Sequence, residues 1–127
     1  GATPGAHLEL APPHHDWLIH RSLGEYRTVQ EVIADEGEVL LVEPDVAVYE
    51  RMVSRFSHRY DDHASLRGET HTERRFSRKG WAVKTNTRTV LTCTPTHFHV
   101  RAELDAYEGE TRVFTENFQS EIERDLV

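Results

Sequence analysis

The stretch THFHVRAELDAYEGETRVF, Thr96 to Phe114, decides the fold. Phe98, Val100, Ala102, Leu104 and Ala106 share one parity, and His97, His99, Arg101, Glu103 and Asp105 share the other. A period of two belongs to a β-strand with one apolar and one polar face. Glu108-Gly109-Glu110 is turn chemistry, and beyond it Phe114, Phe118 and Ile122 again fall on the apolar side. The stretch therefore predicts an antiparallel hairpin with both histidines facing away from the core.

Working back from this hairpin, the same period recurs. In Trp81 to Cys93, the residues Trp81, Val83, Leu91 and Cys93 lie inward among Thr85, Thr87 and Thr89, while Lys84, Asn86 and Arg88 lie outward. Leu66 to Phe76 alternates likewise, with Leu66, Thr70, Thr72 and Phe76 opposed to Glu69, His71, Glu73 and Arg75. Val46 to Phe56 places Val46, Val48, Met52 and Phe56 on one side, interrupted by Glu50 and Ser54. Glu38 to Pro44 reads as a buried strand, and Pro44-Asp45 as a turn. Ser57 to Ser65 reads as a polar loop.

Thr28 with Glu31 forms a capping box, with Val29, Val32 and Ile33 at helical spacing and Gly37 as a stop, so a short helix is expected near residues 28–36. Trp17 to His20 is a short apolar run. Residues 1–15, with Pro4, Pro12 and Pro13, read as an extended N-terminal arm, and residues 16–127 as a single β-domain. The fold class expected is all-β, an antiparallel meander closed as a jelly-roll-like sandwich or a small barrel, with at most one short helix.

Composition bounds the function. The chain has 127 residues, enough for one core, with 37% apolar and 29% charged residues. Its net charge of −7 disfavours nucleic acid and anionic membrane as partners. The basic run RRFSRKG, Arg74 to Gly80, reads as a solvated strand end. Cys93 is the only cysteine, which excludes an intrachain disulfide and favours the cytoplasm. Neither a membrane span nor a signal peptide is expected.

Catalytic patterns do not assemble. No serine sits on a G-x-S-x-G elbow, Cys93 has the parity of the core, and the glycines are isolated strand punctuation rather than a phosphate loop, so no cofactor is expected. Trp81, Phe98, Phe114 and Phe118 are the aromatics that would line a cavity if the strands closed around an apolar ligand. Trp81 is expected to be inward, so that Trp81→Ala would cost about 3–5 kcal/mol. The run HRYDDH, His58 to His63, is read as a solvated loop with the composition of a weak cation site. His97 and His99 share a strand face and could grip one metal ion given a third ligand. If Tyr107 pairs with Thr111, Glu121 lies opposite His97 and Gln119 opposite His99, which makes Glu121 that ligand.

Taken in order, VYERMVSRF, HRYDDHASLRGET, RKGWAVKTNTRTVLTCTPTHFHV and AELDAYEGETRVF running to IERDLV resemble the C-terminal β-domain of cocaine-esterase-type hydrolases, the family that includes X-prolyl dipeptidyl aminopeptidases. The resemblance covers about two-thirds of the chain, from about Val46 onward. It implies a jelly-roll-like sandwich that packs against an α/β-hydrolase domain and shapes its substrate cleft without supplying the triad. No residue of that catalytic domain is present, so no active-site residue is carried over. The expected function is a non-catalytic accessory or interaction module whose partner is a hydrolase domain or another protein; the alternative is a small barrel that binds an apolar small molecule in its interior, with or without transforming it. A homodimer is compatible with either.

Overall fold

The structure is a computed structural model that describes residues 7–43 and 45–124, and all side chains within them but that of His63. Residues 1–6 of the N-terminal arm, Pro44 of the expected turn and residues 125–127 of the last motif lie outside the described residues.

Alternation along the chain is realised as eight strands: β1 His7–Ala11, β2 His14–Ser22, β3 Arg27–Leu41, β4 Val46–Arg59, β5 Asp62–Arg78, β6 Trp81–Cys93, β7 His97–Glu108 and β8 Thr111–Glu123. From β3 to β8 each strand pairs antiparallel with the next. The all-β antiparallel meander expected from the sequence is the fold, in one open sheet with β8 at one edge and β1 and β2 at the other.

β1 and β2 together act as one interrupted edge strand. β2 pairs with the first part of β3, from Arg27 to Asp35, and β1 with the last, from Glu38 to Leu41. Pro12 and Pro13 cause the interruption, since proline has no N–H for the ladder. β3 bulges opposite them, between Asp35 and Glu38, where Gly37 takes a positive φ of 72°. A Cβ on Gly37 would overlap the carbonyl oxygen of Ala11 and come within 3.0 Å of the Pro12 carbonyl oxygen. Asp35 fixes the bulge by accepting from the Gly37 amide at 2.8 Å and from the Tyr49 hydroxyl at 3.0 Å. The segment read as an arm thus supplies β1 and the first two residues of β2 to the sheet.

The helix expected near residues 28–36 is not formed; those residues are the middle of β3. The Thr28 hydroxyl donates to the Tyr60 hydroxyl at 2.8 Å instead of capping, and Glu31 sits between Leu18 and Arg55 in the ladder. Val29, Val32 and Ile33 suit a pleated surface as well as a helix, and pairing on both sides outweighs a weak helical preference. Ser57 to Ser65 is likewise mostly strand. Tyr60-Asp61 makes a two-residue turn between β4 and β5, with Asp62 accepting from the Ala64 amide at 2.9 Å and the Ser65 hydroxyl accepting from the Arg59 amide at 2.7 Å.

Cross-strand rows carry two distinct faces over the sheet. One row on the apolar face runs Phe118, Ala102, Thr89, Thr70, Ser54, Val32 and Trp17. The adjacent row contains Val100, Leu91, Gly68 and Phe56, with the Phe56 ring lying across Gly68. The charged face has rows such as Arg101, Val90, Glu69, Arg55 and Glu31. Ser54, 7% exposed, and Cys93, 9% exposed, are the most enclosed non-glycine side chains, and no described side chain is fully buried. The accessible area is 9413 Å², whereas a folded monomer of 14.7 kDa exposes roughly 6,900 Å². Among the described residues no second layer covers the apolar face of this sheet, on which Ser54 and Cys93 are enclosed only by their neighbours in the sheet.

Candidate functional site

On the charged face, neighbouring strands bring together groups that lie far apart in sequence. Glu69 of β5 is the hub. Its Oε1 accepts from Arg88 Nε at 2.8 Å and lies 2.8 Å from His71 Nε2, while Arg67 reaches Oε2 at 3.5 Å. The Arg88 hydrogen bond, then that of His71, pulls the Glu69 carboxyl down to about 2. Arg67, Arg88, Val90, Thr92, Arg101 and Glu103 line a depression of about 200 Å³ beside this hub. Guanidinium groups stay protonated, so Arg67, Arg88 and Arg101 offer this depression charge and hydrogen bonds, and Glu103 is the carboxylate that lines it with them. Near the bulge, burial and then the hydrogen bond to Asp35 push the Tyr49 hydroxyl up, and the Arg75 guanidinium stacks 4.0 Å from its ring centre.

Nucleophile candidates are engaged otherwise. Ser54 shares a 3.2 Å hydrogen bond with Thr70, and Ser65 donates to the Asp62 carbonyl at 2.6 Å. Cys93 is buried on the apolar face as its parity indicated, with Sγ 3.7 Å from the Leu66 carbonyl oxygen. Among the described residues, no serine hydroxyl meets a histidine.

The hairpin register differs from that expected. β7 and β8 are joined by a two-residue loop, Gly109-Glu110, and a bulge follows between Ala106 and Tyr107. Each feature displaces the pairing by one residue. Their effects on parity cancel, so Phe114, Phe118 and Ile122 keep the apolar face while the opposing partners move by two. Glu121 therefore stands opposite His99, not His97, with His99 Nε2 3.7 Å from its Oε1; Glu123 stands opposite His97, and Gln119 opposite Arg101. His97 Nδ1 is 2.8 Å from the Thr96 hydroxyl, and the two imidazole centres are 6.5 Å apart. Among the described residues, no three His, Cys, Asp or Glu side chains converge as metal ligands.

Trp81, Phe98, Phe114 and Phe118 all lie on the apolar face, but not together. Phe98 pairs with Cys93 at one end of β6 and Trp81 begins the other, a separation of roughly 40 Å along the strand. Phe98 is partly covered, with the Arg124 guanidinium 5.0 Å from its ring centre; Trp81, Phe114 and Phe118 are 43%, 49% and 58% exposed. At the opposite edge Trp17, Val32 and Ala34 contribute to an open depression of about 480 Å³.

What sequence reasoning missed is the extent of the bare apolar face. Alternation identifies the face a residue occupies and is silent on whether anything covers it. The Glu69 cluster was visible only as Glu69 and His71 sharing a face, because joining Arg88 to them requires the β5–β6 register.

No protein-family model matches the chain, and comparison with curated proteins and with solved structures returns no match. Among the described residues, no helix is long and apolar enough to cross a membrane.

Proposed function

We propose that the chain is a non-catalytic accessory β-module that works by burying its apolar face against protein, as the domain it resembles does beside a cocaine-esterase-type hydrolase. The observation that carries this reading is the uncovered apolar face, from Trp17 and Ile19 on β2 to Phe118 and Ile122 on β8. Large contiguous apolar surface on a soluble protein marks an interaction site. The charged face, by contrast, satisfies its own charges through pairs such as Arg88 with Glu69 and Arg112 with Asp105. The lone cysteine fits a cytoplasmic setting.

The test is kinetic. The chain alone is expected to hydrolyse neither p-nitrophenyl esters nor X-prolyl anilides above background. Added to an isolated α/β-hydrolase domain of that family, it is expected to form a complex and change kcat/KM. Turnover by the chain alone that is abolished by replacing one serine would refute the reading.

A further inference from the structure

We infer that the apolar face closes on a second copy of this chain, giving a two-fold dimer in which two sheets stack as one β-sandwich. The inference rests on the reading of that face as a docking surface and names its occupant in the free chain, a second copy that a hydrolase domain would displace. Three observations favour a second copy.

The first is area. The chain exposes roughly 2,500 Å² more than a folded monomer of its mass would. Obligate homodimers bury about 2,000–5,000 Å² in total, so one face-to-face interface removes an excess of this size from both chains at once. Eight strands with faces of this breadth match sheet-on-sheet packing, in which two sheets lie about 10 Å apart with strands nearly aligned.

The second is charge. Charged residues on the apolar face lie at its periphery, Arg21 on β2, Glu116 on β8 and Arg124 beside Phe98, or are paired within the chain, as Arg74 is with Glu50 at 3.4 Å. The middle rows hold Ser54, Thr70, Thr89 and Ala102, which carry no charge, and the two hydroxyls of Ser54 and Thr70 satisfy each other. An identical face therefore opposes it without burying an unpaired charge. A partner that relied on complementary charge would find no charge in these middle rows to pair with.

The third is relief. Large side chains stand along both borders, Trp17 and Ile19 on β2 and Phe118 and Ile122 on β8, with Phe56, Phe76 and Trp81 exposed between them on β4, β5 and β6. A two-fold axis parallel to the strands sets the β2 border of one copy over the β8 border of the other, so that both sets of exposed apolar side chains are covered in one symmetric contact. Phe56, lying across Gly68, fills part of the middle of each copy.

Light scattering after gel filtration tests the proposal, with 8-anilinonaphthalene-1-sulfonate (ANS) as the probe of bare apolar surface. The unaltered chain is expected to elute at twice its 14.7 kDa mass and to bind little dye. Phe118→Asp and Ile19→Asp change exposed positions at opposite borders, so circular dichroism should stay that of the parent while dimer dissociation rises at least 100-fold. Arg101→Glu, on the charged face, should leave the dimer intact. A dimer that survives both aspartate changes uses a sheet edge and overturns the proposal. A monomer that binds the dye strongly also overturns it, but leaves the docking reading standing. A monomer that binds no dye sinks both, because its apolar face would then be covered from within.

Discussion

Gly37→Ala should peel β1 from the sheet while leaving β4 to β8 paired, and the size of the effect can be worked from the bulge. Gly37 sits at φ 72°, where an L-residue costs about 1–2 kcal/mol. Its new methyl would also meet main-chain atoms of Ala11 and Pro12, which cannot rotate away as a side chain can. Relief comes from moving the Pro12 corner and with it β1, held to β3 by only four partnered residues. Leu8 and Leu10 are half-exposed, so withdrawing them forfeits about 1 kcal/mol each, and the lost hydrogen bonds add about as much again. The clash cannot cost more than detaching β1, about 3–4 kcal/mol, and the φ cost that stays with the β3 bulge brings the cap to about 4–6 kcal/mol. Gly80→Ala is the internal control. Its φ is 78°, but nothing lies within 4 Å of the new methyl, so about 1–2 kcal/mol is expected. Urea unfolding gives the totals, and hydrogen exchange locates the damage at Leu8 to Ala11. Equal losses for the two variants, with β1 still protected, would refute the view that Pro12 and Gly37 share one tight corner.

Two further outcomes follow from the two faces. Glu69→Gln should cost about 1 kcal/mol at neutral pH, since the side chain is 24% exposed and solvent screens its pairs. The Glu69 carboxyl is held at about 2 against an ordinary 4.5, so its stabilising effect is present above about pH 4.5 and fades as pH falls toward 2. The gap between parent and variant in urea midpoints should close over that range, and a gap unchanged from pH 6 to pH 2 would contradict the Arg88 and His71 geometry. In the monomeric Phe118→Asp background, Trp81→Ala, which alternation alone values at about 3–5 kcal/mol, should cost only about 1–2 kcal/mol because the side chain is 43% exposed in the chain by itself; a larger loss there would mean that the chain itself covers the end of β6.

Parity was the most legible property of this sequence, and it was legible where charge and apolarity alternate without interruption. β7 is such a strand, and β5 and β6 follow it because threonine fills apolar-face positions without breaking the pattern. β3 was misread because Thr28, Glu31 and three β-branched residues satisfy a helical template as well as a strand, and only pairing on both sides decides between them. β1 and the start of β2 were hidden by Pro12 and Pro13, which forbid a continuous strand but permit two short ones opposite a bulge. The His97–Glu121 pairing failed for a different reason. A bulge carries little sequence signal, and two one-residue displacements preserved the face of every residue while changing the partners across it.

Coverage is the property that local sequence cannot encode, and here it separates the two faces. On the charged face each strand brings a complement to its neighbour: Glu69 finds Arg88 across β5 and β6, Asp35 finds Arg51 across β3 and β4, and Asp105 finds Arg112 across β7 and β8. Such pairs are settled by water and by one another, so that face needs nothing further. On the apolar face no lateral neighbour can substitute for a layer above, because hydrophobic burial demands removal from water and cross-strand contact achieves only part of it. An isolated sheet therefore leaves Phe118, Trp17 and Ile19 more than half exposed, however well its ladder is paired. The ladder fixes the shape of the surface, and the apolar burial still open to the described residues lies above that surface rather than within the sheet, which is why the proposed function is sought in what covers the sheet rather than in a cleft within it.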